Sequence, residues 1–136
     1  MESKFGKIKK TTFLQEKNSM LSFTDTHIVL SSLVADKDTS LSMENYGKPT
    51  SIYAKGRTIL VGFEFGLLTF FKVTEGSSNR IVEYSKIENM CATEPILVYF
   101  SDSGNKLDCI AIVTDSMEGF IITRNLEGKF EKELEF

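Results

Sequence analysis

The chain has 136 residues, 41% of them hydrophobic and 26% charged, proportions that support one folded core and exclude a wholly disordered chain or two independent cores. A net charge of −3 supplies no dense basic face, which excludes general affinity for nucleic acid. No apolar run approaches the roughly 18 residues of a membrane helix, and the opening MESKFGKIKK lacks a signal-peptide core, so folding is expected in the cytoplasm with no membrane partner.

The charge is unevenly spread. Residues 1 to 81 carry 11 basic and 8 acidic side chains and residues 82 to 136 carry 5 and 11, so the halves are +3 and −6, a polarity that can orient copies of the chain head to tail.

A single β-rich domain over residues 1–136 is expected. Lys7, Lys9 and Lys10 make residues 1–12 an N-terminal arm or a frayed terminus. Thr26 to Ala35 (THIVLSSLVA) is a strand candidate, with a helix of the same length left open. Asp36 to Arg57 is polar, rich in turn formers and broken by Gly47 and Pro49; it predicts a long loop, which at that length in a compact domain is functional or disordered.

Thr58 to Phe65 (TILVGFEF) is apolar nearly throughout, as in a strand covered on both faces or one with a face buried in an oligomer. Gly62 within it signals a bulge or a close backbone approach. Gly66 to Val73 fits a strand or a buried helix, and Ile81, Tyr84 and Ile87 recur at three-residue spacing, which predicts a short helix around residues 80–89.

From Pro95 onward period-two signals dominate. PILVYF, the turn SDSGN, KLDCIAIVTD, the turn SMEG, FIITRN and FEKELEF read as a meander of three or four antiparallel strands. Asp102, Gly104 and Asn105 suit the first reversal. Same-parity residues Leu97, Tyr99, Ile110, Ile112, Ile121 and Phe130 are expected in the core. The expected architecture is therefore mainly β: an antiparallel β-barrel or sandwich with one short flanking helix and a long loop.

No constellation for chemistry emerges. His27 is the only histidine, too few for a triad or a three-histidine metal site, and reads as structural or surface. Cys91 and Cys109 have no CxxC partner and are read as reduced, with Cys109 in a strand core. There is no phosphate-cradling glycine motif, and Asp36 with Asp38 lacks the glycine and distal glutamate of a calcium loop. Aromatic and basic residues alternate at Tyr53, Lys55 and Arg57. No catalytic, cofactor-binding or metal residue is assigned, no cofactor is expected, and function is expected to reside in assembly through surfaces.

Two segments carry a family resemblance. GKPTSIYAKGRTILVGFEF (Gly47 to Phe65) and EPILVYFSDSGNKLDCIAIVTDSMEGFIITRNLEG (Glu94 to Gly128) are similar, in order and spacing, to segments of tail-tube and baseplate-type virion proteins of contractile-tailed bacteriophages. Tyr53, Lys55, Gly56, Arg57, Thr58, Ile59 and Gly62 carry the first match, and Pro95, Gly104, Ile110, Val113, Glu118 and Gly119 the second. The resemblance implies a non-catalytic structural protein of a phage tail tube or baseplate ring, assembled in the host cytoplasm. It also implies a homo-oligomeric, hexameric ring in the virion with neighbouring tail proteins as partners and DNA passing through its channel. The implied assembly interface is Tyr46, Gly47, Lys48, Pro49, Tyr53, Lys55, Gly56, Arg57, Thr58 and Ile59.

An alternative resemblance is to a partial WD-like propeller acting as a protein-interaction module. TILVGFEFGLLTFFKV and LDCIAIVTDSMEGFIITRN each look like strands two and three of a blade. The chain has neither Trp-Asp nor Gly-His signatures, and its length gives about three blades where closure takes at least four.

Overall fold

In the computed structural model, residues 2–3, 6–14, 19–32, 38–74, 80–88, 93–103, 106–124 and 129–135 are described. Strands β1 (Glu2–Ser3) and β2 (Gly6–Lys7) pair as a short antiparallel ribbon. The first sheet holds β3 (Lys10–Leu14), β4 (Ser19–Phe23), β5 (His27–Ser32) and β6 (Asp38–Ser42). The second holds β7 (Pro49–Lys55), β8 (Thr58–Phe63), β9 (Leu68–Val73) and β10 (Ile81–Ile87). The third holds β11 (Pro95–Ser103), β12 (Lys106–Thr114), β13 (Gly119–Arg124) and β14 (Phe130–Glu135). All pairings are antiparallel and each sheet is a simple meander in chain order.

The three sheets pack face to face, with the second in the middle. Leu14, Leu21, Phe23, Ile28 and Leu30 of the first sheet meet Ile59, Val61, Phe63, Phe71 and Val73 of the second in one apolar layer. Leu60, Leu68, Phe70 and Ile87 on the opposite face of the second sheet meet Val98, Phe100, Ile110, Ile112, Phe120 and Ile122 of the third. Successive residues of β8 thus point into two different cores, which is why TILVGF has no polar parity: neither face meets water. Contacts between sheets concentrate on the first strands, β7 lying beside both β3 and β11, and are sparse between the fourth strands. The sheets therefore converge along their first strands and fan apart outward.

Three expectations require correction. No closed barrel and no helix occur among the described residues. The segment expected as a helix is β10, an edge strand with a register shift between Glu83 and Ser85. That bulge adds one residue, Tyr84, so Ile81 faces the first sheet and Ile87 the third. A bulged strand serving two cores mimics a three-residue period. Finally, the expected loop at residues 36–57 contains β6 and β7; Ile52 is buried in the first core and Tyr53 packs on the second. Gly56, at φ 62, makes the two-residue β7–β8 reversal possible. Residues 33–37, and with them Asp36, lie outside the described residues, as do Cys91, Gly104 and Asn105.

Candidate interaction surface

The second and third sheets are built to one plan. Each first strand opens on proline, Pro49 or Pro95, followed at once by a register shift before Ser51 or Leu97. Proline lacks a donor for the ladder, and the first residue of a strand beside a bulge is where that loss is tolerated. Thereafter Ile52 and Val98 occupy one position and Tyr53 and Tyr99 the next, paired with Leu60 and Ala111 respectively.

The turn joining the second and third strands is likewise repeated. Phe63 N donates to Leu67 O at 2.9 Å and Gly66 N to Phe63 O at 2.9 Å; Thr114 N donates to Glu118 O at 2.9 Å and Met117 N to Thr114 O at 3.0 Å. Gly66 (φ 88) and Met117 (φ 65) fill the same left-handed position. A cross-link to the residue before the proline recurs too: Glu64 N to Lys48 O at 3.0 Å and Asp115 N to Glu94 O at 2.8 Å.

The first sheet follows the same register with a shorter turn, Thr24 N donating to His27 O at 2.9 Å. Thr24 Oγ1 accepts from the Thr26 and His27 amides at 3.2 and 3.1 Å, which closes that reversal without glycine. Counting back from the turns, Phe13 pairs with Met20 where Phe100 pairs with Ile110, and Thr11 with Ser22 where Val98 pairs with Ile112.

This correspondence singles out the outer face of the third sheet. The second sheet covers the third with Tyr53, Leu60 and Phe70, and the residues in register with them on the third sheet are Tyr99, Ala111 and Ile121. Together with Leu97 and Val113, paired across β11 and β12, they form an apolar face on which no sheet among the described residues packs, although the Tyr99 ring reaches Tyr53 of the second sheet at 4.8 Å. Leu97 is 54% exposed and Tyr99 46%. Both were expected in the core, and the reason for the difference is local. Asp102 pairs with Leu107 but Ser101 pairs with Cys109, so a register shift separates the turn from the strand. Without it, Leu97 and Tyr99 would lie opposite Ile112 and Ile110; with it, Val98 and Phe100 do. Ile110 and Ile112 are core residues as expected, Phe130 packs against the core edge, and Ile121 is half-buried on the outer face.

The ten residues of the sequence-implied interface are dispersed along β7 and its flanks. Tyr46 stacks on Phe63 with ring centroids 5.6 Å apart and meets Phe71 edge-on at 5.4 Å. Its hydroxyl donates to Glu83 Oε1 at 2.6 Å. Burial, and then that carboxylate, push its phenol up to about 12. Gly47 adopts φ 111. Lys48 Nζ lies 4.0 Å from Asp25 Oδ1, Pro49 is buried, and Tyr53 is half-buried with its ring 4.8 Å from Tyr99 and 5.2 Å from Phe100. Lys55, Gly56, Arg57 and Thr58 lie at the far hairpin, and Ile59 is fully buried. The seven-residue strand β7, about 20 Å long, runs between the two groups, with Tyr53 midway along it.

A groove at the open end of the first two sheets is lined by Asp25, His27, Met43, Lys48 and Glu64, among others. His27 Nδ1 lies 2.9 Å from Thr26 Oγ1. Lys9 bonds Asp25 at 2.5 Å and, with Lys48, holds its carboxyl below the usual range; exposed pairs of this kind contribute little to stability. No family model matches the chain, and no curated protein is significantly similar to it.

Proposed function

We propose that the protein is a non-catalytic assembly module whose three sheets form an arc of a β-propeller, extended by docking further sheet structure. The observation that carries this reading is the outer face of the third sheet, which repeats in register the face by which the second sheet packs on the third. Convergence of the first strands supports it, since propeller blades gather their first strands around an axis. The segments TILVGF and LTFFKV, and likewise KLDCIAIVT and GFIITR, are second and third strands of their sheets, the position the propeller resemblance implies. An apolar face of this extent favours burial, because apolar surface removed from water contributes about 25 cal/mol per Å².

Electron microscopy of the assembled protein tests the reading. A sheet packed face-on against Leu97, Tyr99 and Ile121 is the expected result. Strands joined edge to edge into a sixfold tube around a channel would instead support the tail-tube reading and refute this one.

A further inference from the structure

Resting on the propeller reading, we infer that the occupant of the third sheet's outer face is the first sheet of a second copy of this chain, two copies closing head to tail into one ring of six sheets. Continuity with the internal interfaces is the first argument. The second and third sheets each receive the preceding sheet on one face and present the other to the sheet that follows. At the two ends of the stack, no sheet among the described residues lies on the presenting face of the third sheet or on the receiving face of the first, where Phe13 and Met20 are exposed while Ser22 and Val29 are buried.

The receiving face matches the task residue by residue. Inside the chain, Tyr53 is received edge-on by Phe100 at 5.2 Å and also touches the edge-strand ring of Tyr99 at 4.8 Å. The position in register with Phe100 on the first sheet is Phe13, 50% exposed, with Met20 paired beside it at 40%. The position in register with Tyr53 on the third sheet is Tyr99. A second copy therefore sets Tyr99 against the partner's equivalent of its own receiving ring, Phe13.

Charge supports the same polarity. Within the chain, Asp25 in the turn of the first sheet faces Lys48 at the start of the second. The corresponding turn of the third sheet carries Asp115 and Glu118, and the start of the first sheet carries the exposed Lys7 and Lys10 beside Lys9, whose ammonium is held by Asp25 of the same chain. A heterologous contact of this kind closes when its rotation completes the circle. Propellers close with four to eight sheets, and two copies of three give six.

The test is mass in solution, by native mass spectrometry and light scattering on the whole chain. The expected mass is twice the 15.3 kDa of the chain. Leu97→Asp and Phe13→Asp both alter exposed side chains, so each should keep the far-ultraviolet dichroism of the parent while running as a monomer. Mixing the two variants should restore a dimer, because one of its two interfaces then joins two unaltered faces. A monomeric parent chain overturns the inference of a second copy, while the docking face itself is still judged by the microscopy above. Retention of the dimer by Phe13→Asp but not Leu97→Asp overturns head-to-tail pairing in favour of the third sheet meeting itself. Larger, open-ended masses overturn closure.

Discussion

Adding a single methyl group at Gly62 probes the spacing of the second and third sheets. A Cβ built there would lie 2.5 Å from Ser51 Oγ, 2.7 Å from Pro95 Cγ and 3.2 Å from Pro95 Cβ. The serine can rotate away, but the proline ring cannot, and Thr50 Oγ1 fixes the site further by donating to Pro95 O at 2.6 Å. Two effects oppose each other in Gly62→Ala. Removing a glycine from a strand restricts the unfolded chain and stabilises by about 0.4 to 1 kcal/mol, whereas overpacking a rigid interior costs about 1 to 3 kcal/mol. The overpacking should win, with a net loss of about 1 to 2 kcal/mol in urea unfolding. Pro95→Ala in the same chain should recover part of that loss, a coupling that a double-mutant cycle measures directly. A stabilised or unchanged Gly62→Ala variant would refute the close approach and with it the packing of β8 on β11.

Three further perturbations separate core, polar and titrating contributions. Ile112, 2% exposed and paired with Val98 and Phe120, should cost about 2 to 5 kcal/mol when truncated to alanine; a change under about 0.5 kcal/mol would contradict its register. Thr69 is fully buried and its Oγ1 has no hydrogen-bond partner among the described residues, so Thr69→Val should raise stability by about 1 kcal/mol, and a clear loss would reveal a partner for the hydroxyl. Because the Tyr46 phenol is raised to about 12, its contribution is whole below the ordinary tyrosine value near 10 and is lost as pH rises through about 12. Ultraviolet titration should show a late-ionising component that Tyr46→Phe removes, and an unchanged high-pH titration in that variant would contradict the Glu83 contact.

Strand content was legible wherever a strand obeys its period to the end. The segments after Pro95 and the apolar run at Thr58 yield β8 and β11 to β14 because burial on one or two faces writes itself directly into residue parity. Gly62 was likewise legible as a close approach, since a glycine inside a strand needs a reason. What failed did so at bulges. One extra residue near Ser101 inverted the faces of Leu97 and Tyr99, and one near Tyr84 disguised β10 as a helix. A bulge leaves composition unchanged and shifts only the pairing, which depends on the partner strand. The segment from Asp36 to Arg57 failed differently: β6 and β7 carry Thr39, Ser40, Thr50 and Ser51, and such residues look like loop when the burial that retains them comes from a neighbouring sheet.

The repeat itself was nearly silent in the sequence because its unit constrains geometry more than identity. Between PTSIYA and PILVYF only the proline and the tyrosine coincide. The strand start beside a bulge tolerates the proline, and the positions that follow need only the correct parity, so Ile52 stands where Val98 does and Ser51 where Leu97 does. Gly66 and Met117 show the limit of that tolerance, since both occupy a left-handed turn position that glycine fills without strain and methionine does not. The second and third sheets therefore share hydrogen-bond pattern and sidedness with little residue identity. On the outer face of the first sheet, Thr11, Ser22 and Ser31 stand in register with Val98, Ile112 and Ile122 of the interior, while Val29, in register with Phe120, is apolar and, like Ser22, buried. A face permanently buried at synthesis would favour the apolar set. If the face first meets water and then docks as proposed, hydroxyls around an apolar centre, here Phe13, Met20 and Val29, would serve it better.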